Sequence, residues 1–134
     1  MRHTPIILTA AALIALAGCQ TKDETVAGYA DATETYLLES IDGVPFDGRA
    51  TLTFPEEGKI AGQAPCNSYR ADLKAPYPWF ETSAIAMTRK ACIDMNAEAA
   101  FTEALNAMTQ SEISGPVVIL TNEEGRKMVF RANS

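Results

Sequence analysis

The stretch that decides the fold, Gly62 to Cys92, reads GQAPCNSY over residues 62–69 and AIAMTRKAC over residues 84–92. Its two cysteines, Cys66 and Cys92, are the only ones that follow residue 19. We predict that they form a disulfide across a small β-rich domain, because closing a loop of about 27 residues would add roughly 3.5 kcal/mol of stability by chain-entropy arguments. A zinc site is the alternative, but zinc prefers two close pairs of Cys or His, and the only histidine is His3.

Residues 1–18 have the features of an export leader and do not belong to the fold. Arg2 and the terminal amine supply positive charge, and Ile6 to Ala17 is an apolar run that only Thr9 interrupts. As a helix this run would be about 18 Å long, whereas the hydrocarbon core of a bilayer is roughly 30 Å thick. We therefore interpret the run as a signal segment and not as a membrane-spanning helix.

The sequence LAGC at residues 16–19 resembles the lipobox of bacterial lipoproteins, in which the cysteine thiol receives diacylglycerol before cleavage. Lipid on Cys19 would leave the two later cysteines to pair in an oxidising periplasm, which agrees with the odd cysteine count. Gln20 follows the cysteine, and in enterobacterial-type sorting an Asp there favours inner-membrane retention. Similarity to that system therefore implies the outer membrane of a Gram-negative cell, with the domain facing the periplasm. The alternative is ordinary cleavage after Ala17, which would release a soluble protein.

Residues 19–35 connect the modified cysteine to the domain, which we place at residues 36–134. The segment QTKDETVAGYADATET, residues 20–35, has four acidic side chains, one lysine and no apolar periodicity. We predict a flexible tether with a reach of about 20–24 Å.

The domain has the pattern of about seven short strands and one helix. Turn residues such as Asp42-Gly43 and Gly115-Pro116 separate strand candidates at residues 36–41, 49–54, 59–63, 69–73, 79–87, 117–120 and 127–131. A helix is predicted within Met95–Thr109, with Asp94 or Asn96 as the cap and Glu98 interacting with the helix dipole. Its core face should consist of Ala97, Ala100, Phe101, Ala104, Leu105 and Met108.

Charge and histidine content exclude several classes of function. The net charge is −6, and loss of Arg2 with the leader would make the chain more acidic, which disfavours binding to nucleic acid or anionic lipid. Without a histidine beyond His3, the mature chain has no Ser-His or Cys-His pair, and no phosphate-binding or dinucleotide motif is present. A carboxylate pair remains as a route to catalysis. We expect no enzymatic activity, no metal and no cofactor.

The motifs of the domain resemble those of the META domain, as found in HslJ-like heat-inducible bacterial lipoproteins. The match covers residues 36–132, and Pro65 departs from it because glycine is common at that position. The resemblance implies an α+β, mainly β fold, in which a twisted antiparallel sheet curls into a small barrel with one packed helix before the last hairpin. The residues that match the family motifs are the opening strand at 37–43, Gly62, Cys66, Asn67, Tyr69, Thr88, Arg89, Cys92, Phe101 and Leu105.

Three parts of the stretch allow two interpretations each. The Thr88-Arg89-Lys90 cations can contact an anion or a partner, but we favour pairing with surface acids. Asn67 can bind a ligand, but we favour a role in satisfying backbone groups of a tight turn. The loop carrying Tyr77, Trp79 and Phe80 is a candidate recognition patch, although a strand starting there would turn Trp79 or Phe80 inward.

These observations predict a lipid-anchored envelope protein that acts through protein contacts. The resemblance implies support of envelope integrity or of stress and antibiotic tolerance, without an established catalytic activity. The expected partners are the membrane, through lipid on Cys19, and an envelope protein. The alternatives are a barrel that binds a small ligand near residues 77–80 and, ranked last, a hydrolase.

Overall fold

The computed structural model describes residues 22–133, together with Pro5, Ala11 and Ala12. In this part of the chain a 3-10 turn at Val26–Gly28 precedes nine strands and one α-helix. The elements in order are β1 (Tyr36–Ile41), β2 (Val44–Pro45), β3 (Thr51–Leu52), β4 (Lys59–Gln63), β5 (Ser68–Asp72), β6 (Ala86–Met87), α1 (Asn96–Ala107), β7 (Gln110–Ser114), β8 (Val117–Thr121) and β9 (Lys127–Ala132).

The strands form two antiparallel sheets, which confirms the prediction of a mainly β fold with one α-helix. The larger sheet has the order β2-β1-β9-β8-β7, with β3 also paired to β1, and the smaller sheet has the order β4-β5-β6. The predicted barrel is wrong in one respect, because the described strands do not close into a continuous barrel. The backbone pairing that joins the two sheets and the loop between β5 and β6 consists of single-residue bridges among the described residues. These bridges are Thr53–Ala61, Leu73–Thr82 and Trp79–Gln110.

Proline and short ladders explain why the barrel stays open. The connection between β5 and β6 contains Pro76 and Pro78, which lack the amide hydrogen that a continuous ladder needs. Of the strand predicted at residues 79–87, only Ala86–Met87 is a strand, and Trp79 and Thr82 make single bridges. The prediction also missed β2 and β7, so three strands follow the helix where a single hairpin was expected.

The helix packs against the core through Phe101, Ala104 and Leu105, each at most 1% exposed. The predicted helix face is wrong at Ala100, which is exposed, because the buried stripe is rotated toward Glu98. The predicted cap is wrong, because Met95 is the N-cap residue and makes no side-chain cap bond. Asp94 accepts a hydrogen bond from the Asn96 amide at 2.8 Å, next to the start of α1. The buried core that contains these helix residues also includes the strand residues Leu52, Ile60, Tyr69, Val118, Leu120, Met128 and Phe130.

Residues 23–31 depart from the flexible tether that the sequence predicted. Val26 is 1% exposed, and the Asp23 carboxylate accepts a hydrogen bond from the Gly58 amide at 2.9 Å. The Tyr77 amide donates to the Glu24 carbonyl at 2.7 Å, and the ring of Tyr29 stacks on that of Tyr77 with centroids 4.4 Å apart. The segment is ordered because it buries apolar surface and satisfies backbone amides of the domain. No helix in the described ranges has the length and apolar character needed to span a bilayer.

Candidate functional site

The candidate site is the connection from β6 to α1, residues 88–95, which we name the disulfide loop. Cys92, near its middle, is joined to Cys66 by a disulfide, with the two Cα atoms 6.2 Å apart. Cys66 lies in the turn between β4 and β5, so the bond connects the loop to the smaller sheet. The bond predicted from the cysteine count is therefore present in the structure.

Asn67 holds the disulfide loop at a second point. Its side chain is buried, and its Oδ1 accepts hydrogen bonds from the Lys90 amide at 2.6 Å and from the Thr88 hydroxyl at 3.0 Å. Its Nδ2 donates to the Lys90 carbonyl at 3.2 Å and to the Glu98 carboxylate at 2.7 Å. Asn67 thus connects the loop to the helix, which goes beyond the turn-satisfying role that the sequence favoured.

Glu98 completes this arrangement from the first turn of α1. Its Oε1 accepts hydrogen bonds from the backbone amides of Cys66 at 2.9 Å and Asn67 at 2.6 Å. Burial disfavours its charged form, but the bonds from the Asn67 side chain and from these two amides outweigh burial and lower the pKa of Glu98 below its ordinary value. Glu98 is therefore ionised at neutral pH and is stabilised by hydrogen-bond donors.

The polar groups under the loop are fully used by the protein itself. Every buried side-chain nitrogen or oxygen in the described part of the chain has a hydrogen-bond partner. Asn67 and Glu98 therefore have no free group directed at a ligand, and the chemistry of the pair is to fix the loop. Residues 22–133 contain no cluster of three or more side chains that could hold a metal ion.

The exposed side chains of the disulfide loop include two cations, two apolar residues and one acid, Asp94. Ile93 is fully exposed, Met95 is 38% exposed, and Arg89 and Lys90 are exposed. The favoured prediction that these two cations pair with surface acids is wrong, since the ion pairs of the described residues lie elsewhere. Those pairs are Lys59–Asp72, Arg126–Asp42, Arg126–Glu103 and Arg131–Glu39.

Gly62 and Tyr69 both lie against the backbone of Thr51 in β3. The Tyr69 hydroxyl donates to the Thr51 carbonyl at 2.6 Å, and its ring lies 5.4 Å from that of Phe101. A Cβ at Gly62 would collide with the Thr51 carbonyl oxygen and approach the Tyr69 hydroxyl to 2.8 Å, so this position requires glycine. Burial raises the pKa of Tyr69, which therefore acts as a neutral donor.

The structure does not place the three aromatic residues of the predicted recognition patch on one surface. Phe80 is 3% exposed and belongs to the core, whereas Trp79 is 52% exposed. Tyr77 is half-buried, and its hydroxyl accepts a hydrogen bond from the Ile113 amide at 3.2 Å. Trp79 lines an open groove of about 640 Å³ together with Asn106 and Met108. The three aromatic residues therefore do not form one surface, and only Trp79 is available for recognition.

The family is settled by the match of the chain to a known domain. The family model of the META domain matches residues 30–134, most of the chain. The chain belongs to the META domain family. No protein of curated function is significantly similar to it.

Solved structures with the same fold are distant in sequence from this META domain. An NMR structure of a protein from Burkholderia xenovorans has 17% identity and a TM-score of 0.61, covering 100% of this chain and 99% of that chain. A crystal structure of a DUF4847 family protein from Bacteroides vulgatus has 15% identity and a TM-score of 0.58, covering 77% and 94%. A further NMR structure has 20% identity and a TM-score of 0.58, covering 75% and 89%. At these identities the similarity shows the fold alone.

The sequence motifs of the META domain did not reveal the role of Glu98, although a signal was present. Glu98 lies three residues before Phe101 and seven before Leu105, on the stripe that faces the core. A carboxylate on a core-facing helix position needs a buried donor, and Asn67 is that donor. Cys19, the predicted lipid site, lies outside the described residues.

Proposed function

We propose that the chain is a lipid-anchored lipoprotein of the Gram-negative envelope, located at the outer membrane and facing the periplasm. It has no enzymatic activity and supports envelope integrity or stress tolerance by binding another envelope protein through its disulfide loop. The LAGC sequence at residues 16–19 supports the anchor, and the disulfide suits an oxidising compartment.

The observation that carries the binding proposal is the combination of a fixed loop with an unpaired outer surface. The disulfide and Asn67 hold the loop, so little conformational entropy is lost when it binds. Arg89 and Lys90 have no ion-pair partner among residues 22–133, and Ile93 offers an aliphatic side chain beside them. A partner with an apolar pocket and an acidic rim fits this surface.

Photo-crosslinking in intact cells tests this proposal. A photoreactive amino acid at position 93 should give a discrete adduct, whereas the same residue at Val44, a 65% exposed position in β2, should not. Reversing both cations, Arg89→Glu with Lys90→Glu, should abolish the adduct at position 93 without changing the melting temperature. Equal labelling from positions 93 and 44 would contradict a specific contact.

The anchor has its own test. The Cys19→Ala variant should lose its attachment to the membrane, because no other anchor is proposed for the chain. Fractionation and mass spectrometry of the mature protein measure this directly. Retention of the variant in the membrane fraction would rule out lipid on Cys19 as the anchor.

A second candidate function is binding of a small ligand in the groove that Trp79 lines. The groove combines an exposed indole with the Asn106 amide and the Met108 side chain, which suits a partly apolar molecule. Trp79 is the only tryptophan, so a shift of its fluorescence on titration with apolar metabolites would report binding. An unchanged spectrum across such a set would leave the protein-contact function as the better proposal.

A further inference from the structure

The docked segment at residues 22–31, which we name the foot, determines how close the domain can lie to a membrane. Only two residues, Gln20 and Thr21, separate Cys19 from Lys22. Three consecutive Cα–Cα steps of 3.8 Å span at most about 11 Å. The headgroup layer of one leaflet is roughly 5–8 Å thick, so a lipid on Cys19 would place the start of the foot beside the headgroups.

The foot cannot extend away from the domain without losing several contacts. Val26 is buried in the core, Asp23 bonds the Gly58 amide, and the Glu24 carbonyl accepts from Tyr77. The Asp31 amide also donates to the Tyr36 hydroxyl at 3.0 Å, next to the start of β1. The foot is therefore a rigid connection, and it fixes which side of the domain lies nearest to Cys19.

The surface around the foot has the chemistry of a membrane interface. Tyr29 is 48% exposed, and the Lys22 ammonium lies 5.2 Å from the centre of its ring. Tyrosine is enriched at the headgroup level of membranes. The exposed turn with Glu56 and Glu57 lines the same cleft as Lys22. A face with both signs of charge matches zwitterionic headgroups, in which the phosphate suits the lysine and the amine suits the carboxylates.

We propose that the face formed by Lys22, Tyr29 and the turn at residues 55–57 rests on the headgroups of a zwitterionic bilayer. This inference rests on the lipid anchor of the proposed function. According to this inference, the domain is held in a defined orientation on the membrane and does not move freely on a tether. The hairpin with Val44 then lies at the far end of β1, about 17 Å along the strand from Tyr36.

Fluorescence quenching in vesicles tests this orientation on the full lipidated protein. A single tryptophan is placed at position 29 or at position 44, as Tyr29→Trp or Val44→Trp, each in a Trp79→Phe background. The proteins are reconstituted in phosphatidylcholine and phosphatidylethanolamine vesicles whose acyl chains carry bromine near the glycerol. Emission from position 29 should be quenched several-fold more strongly than emission from position 44.

A linker insertion provides the matched control. About ten Gly and Ser residues between Thr21 and Lys22 add a mean reach of roughly 17 Å and leave every residue of the domain unchanged. Quenching at position 29 should fall to the level seen at position 44. Amide hydrogen exchange at residues 56–58 of the wild-type protein should be slower in vesicles than in detergent. This measurement tests the same contact without a substitution in the foot.

The outcomes separate the inference from the proposed function. Protein that does not float with the vesicles contradicts the lipid anchor, and the inference falls with it. Vesicle-bound protein with equal quenching at both positions, or with quenching that survives the linker, overturns the inference alone. If emission from position 29 instead changes with the ratio of protein to lipid and not with bromine, the face contacts a second copy of the chain. That result also overturns the inference.

Discussion

Glu98 is a buried carboxylate that forms no ion pair with any cation of residues 22–133, and hydrogen bonds stabilise its charge. Its Oε1 accepts from two backbone amides, and its Oε2 accepts from Asn67. Asn67 cannot reverse its amide to accommodate a change at Glu98, because its Oδ1 already accepts from Thr88 and Lys90. The orientation of each group is therefore set by the others.

This dependence predicts a loss of stability in Glu98→Gln. The new amide would direct N–H groups at the Asn67 Nδ2 and leave buried donors unpaired, which costs about 1–3 kcal/mol. Glu103→Gln on the same helix is the matched control, because it removes only a surface ion pair with Arg126, typically about 0–1 kcal/mol. Urea unfolding of both variants measures the difference, and equal stabilities would contradict the role of Glu98.

The Asn67→Asp variant should reverse the local pH dependence. In the wild type the pKa of Glu98 is lowered, so its contribution is present at neutral pH and is lost as the pH falls through the folded-state pKa. In the variant two carboxylates would face each other, which raises their shared pKa. The variant should be destabilised at neutral pH by about 3–5 kcal/mol, as for an uncompensated buried charge, and should recover stability as the pH falls through the raised pKa. Thermal melts from pH 4 to pH 8 test this, and parallel curves for variant and wild type would contradict it.

At the scale of elements, the disulfide loop is held by two independent restraints. Replacing both Cys66 and Cys92 by serine removes the covalent one and should lower the free energy of unfolding by about 3.5 kcal/mol. Asn67 should still hold Thr88 and Lys90, so the folded variant should keep the loop in place. Guanidinium unfolding with and without reductant measures the loss, and a wild type insensitive to reductant would argue against the bond.

The elements that the sequence predicted are those in which apolar periodicity decides the structure. On β5 and just beyond it, alternate residues are buried, namely Tyr69, Ala71 and Leu73. On the helix, the predicted core residues Phe101 and Leu105 are also buried. β7 was missed because its buried residue is Ser111, whose hydroxyl donates to the Pro78 carbonyl at 3.2 Å. A strand stabilised by pairing and by such polar contacts has no hydrophobic alternation to detect.

The candidate site was predictable in its covalent part and in few of its contacts. The cysteine count predicted the disulfide, but the pairing of Asn67 with Glu98 joins residues 31 apart in sequence. Local patterns cannot specify which buried donor meets a carboxylate so distant in the chain. For the same reason the sequence favoured surface pairing of Arg89 and Lys90, which depends on where the acidic residues lie in space.

At the scale of the whole molecule, the domain extends further toward the N-terminus than its strands do. A chain starting at Lys22 should be as stable as the mature protein, whereas one starting at Ala32 should lose about 1.5–3 kcal/mol from Val26 burial alone. Loss of the Asp23 bond to Gly58 should add to this. Thermal unfolding of both chains, exported with a cleavable leader, measures the effect, with Val26→Ala and the exposed Val44→Ala as a matched pair. Identical melting of the two chains would mean that residues 22–31 behave as the flexible tether that their composition predicted.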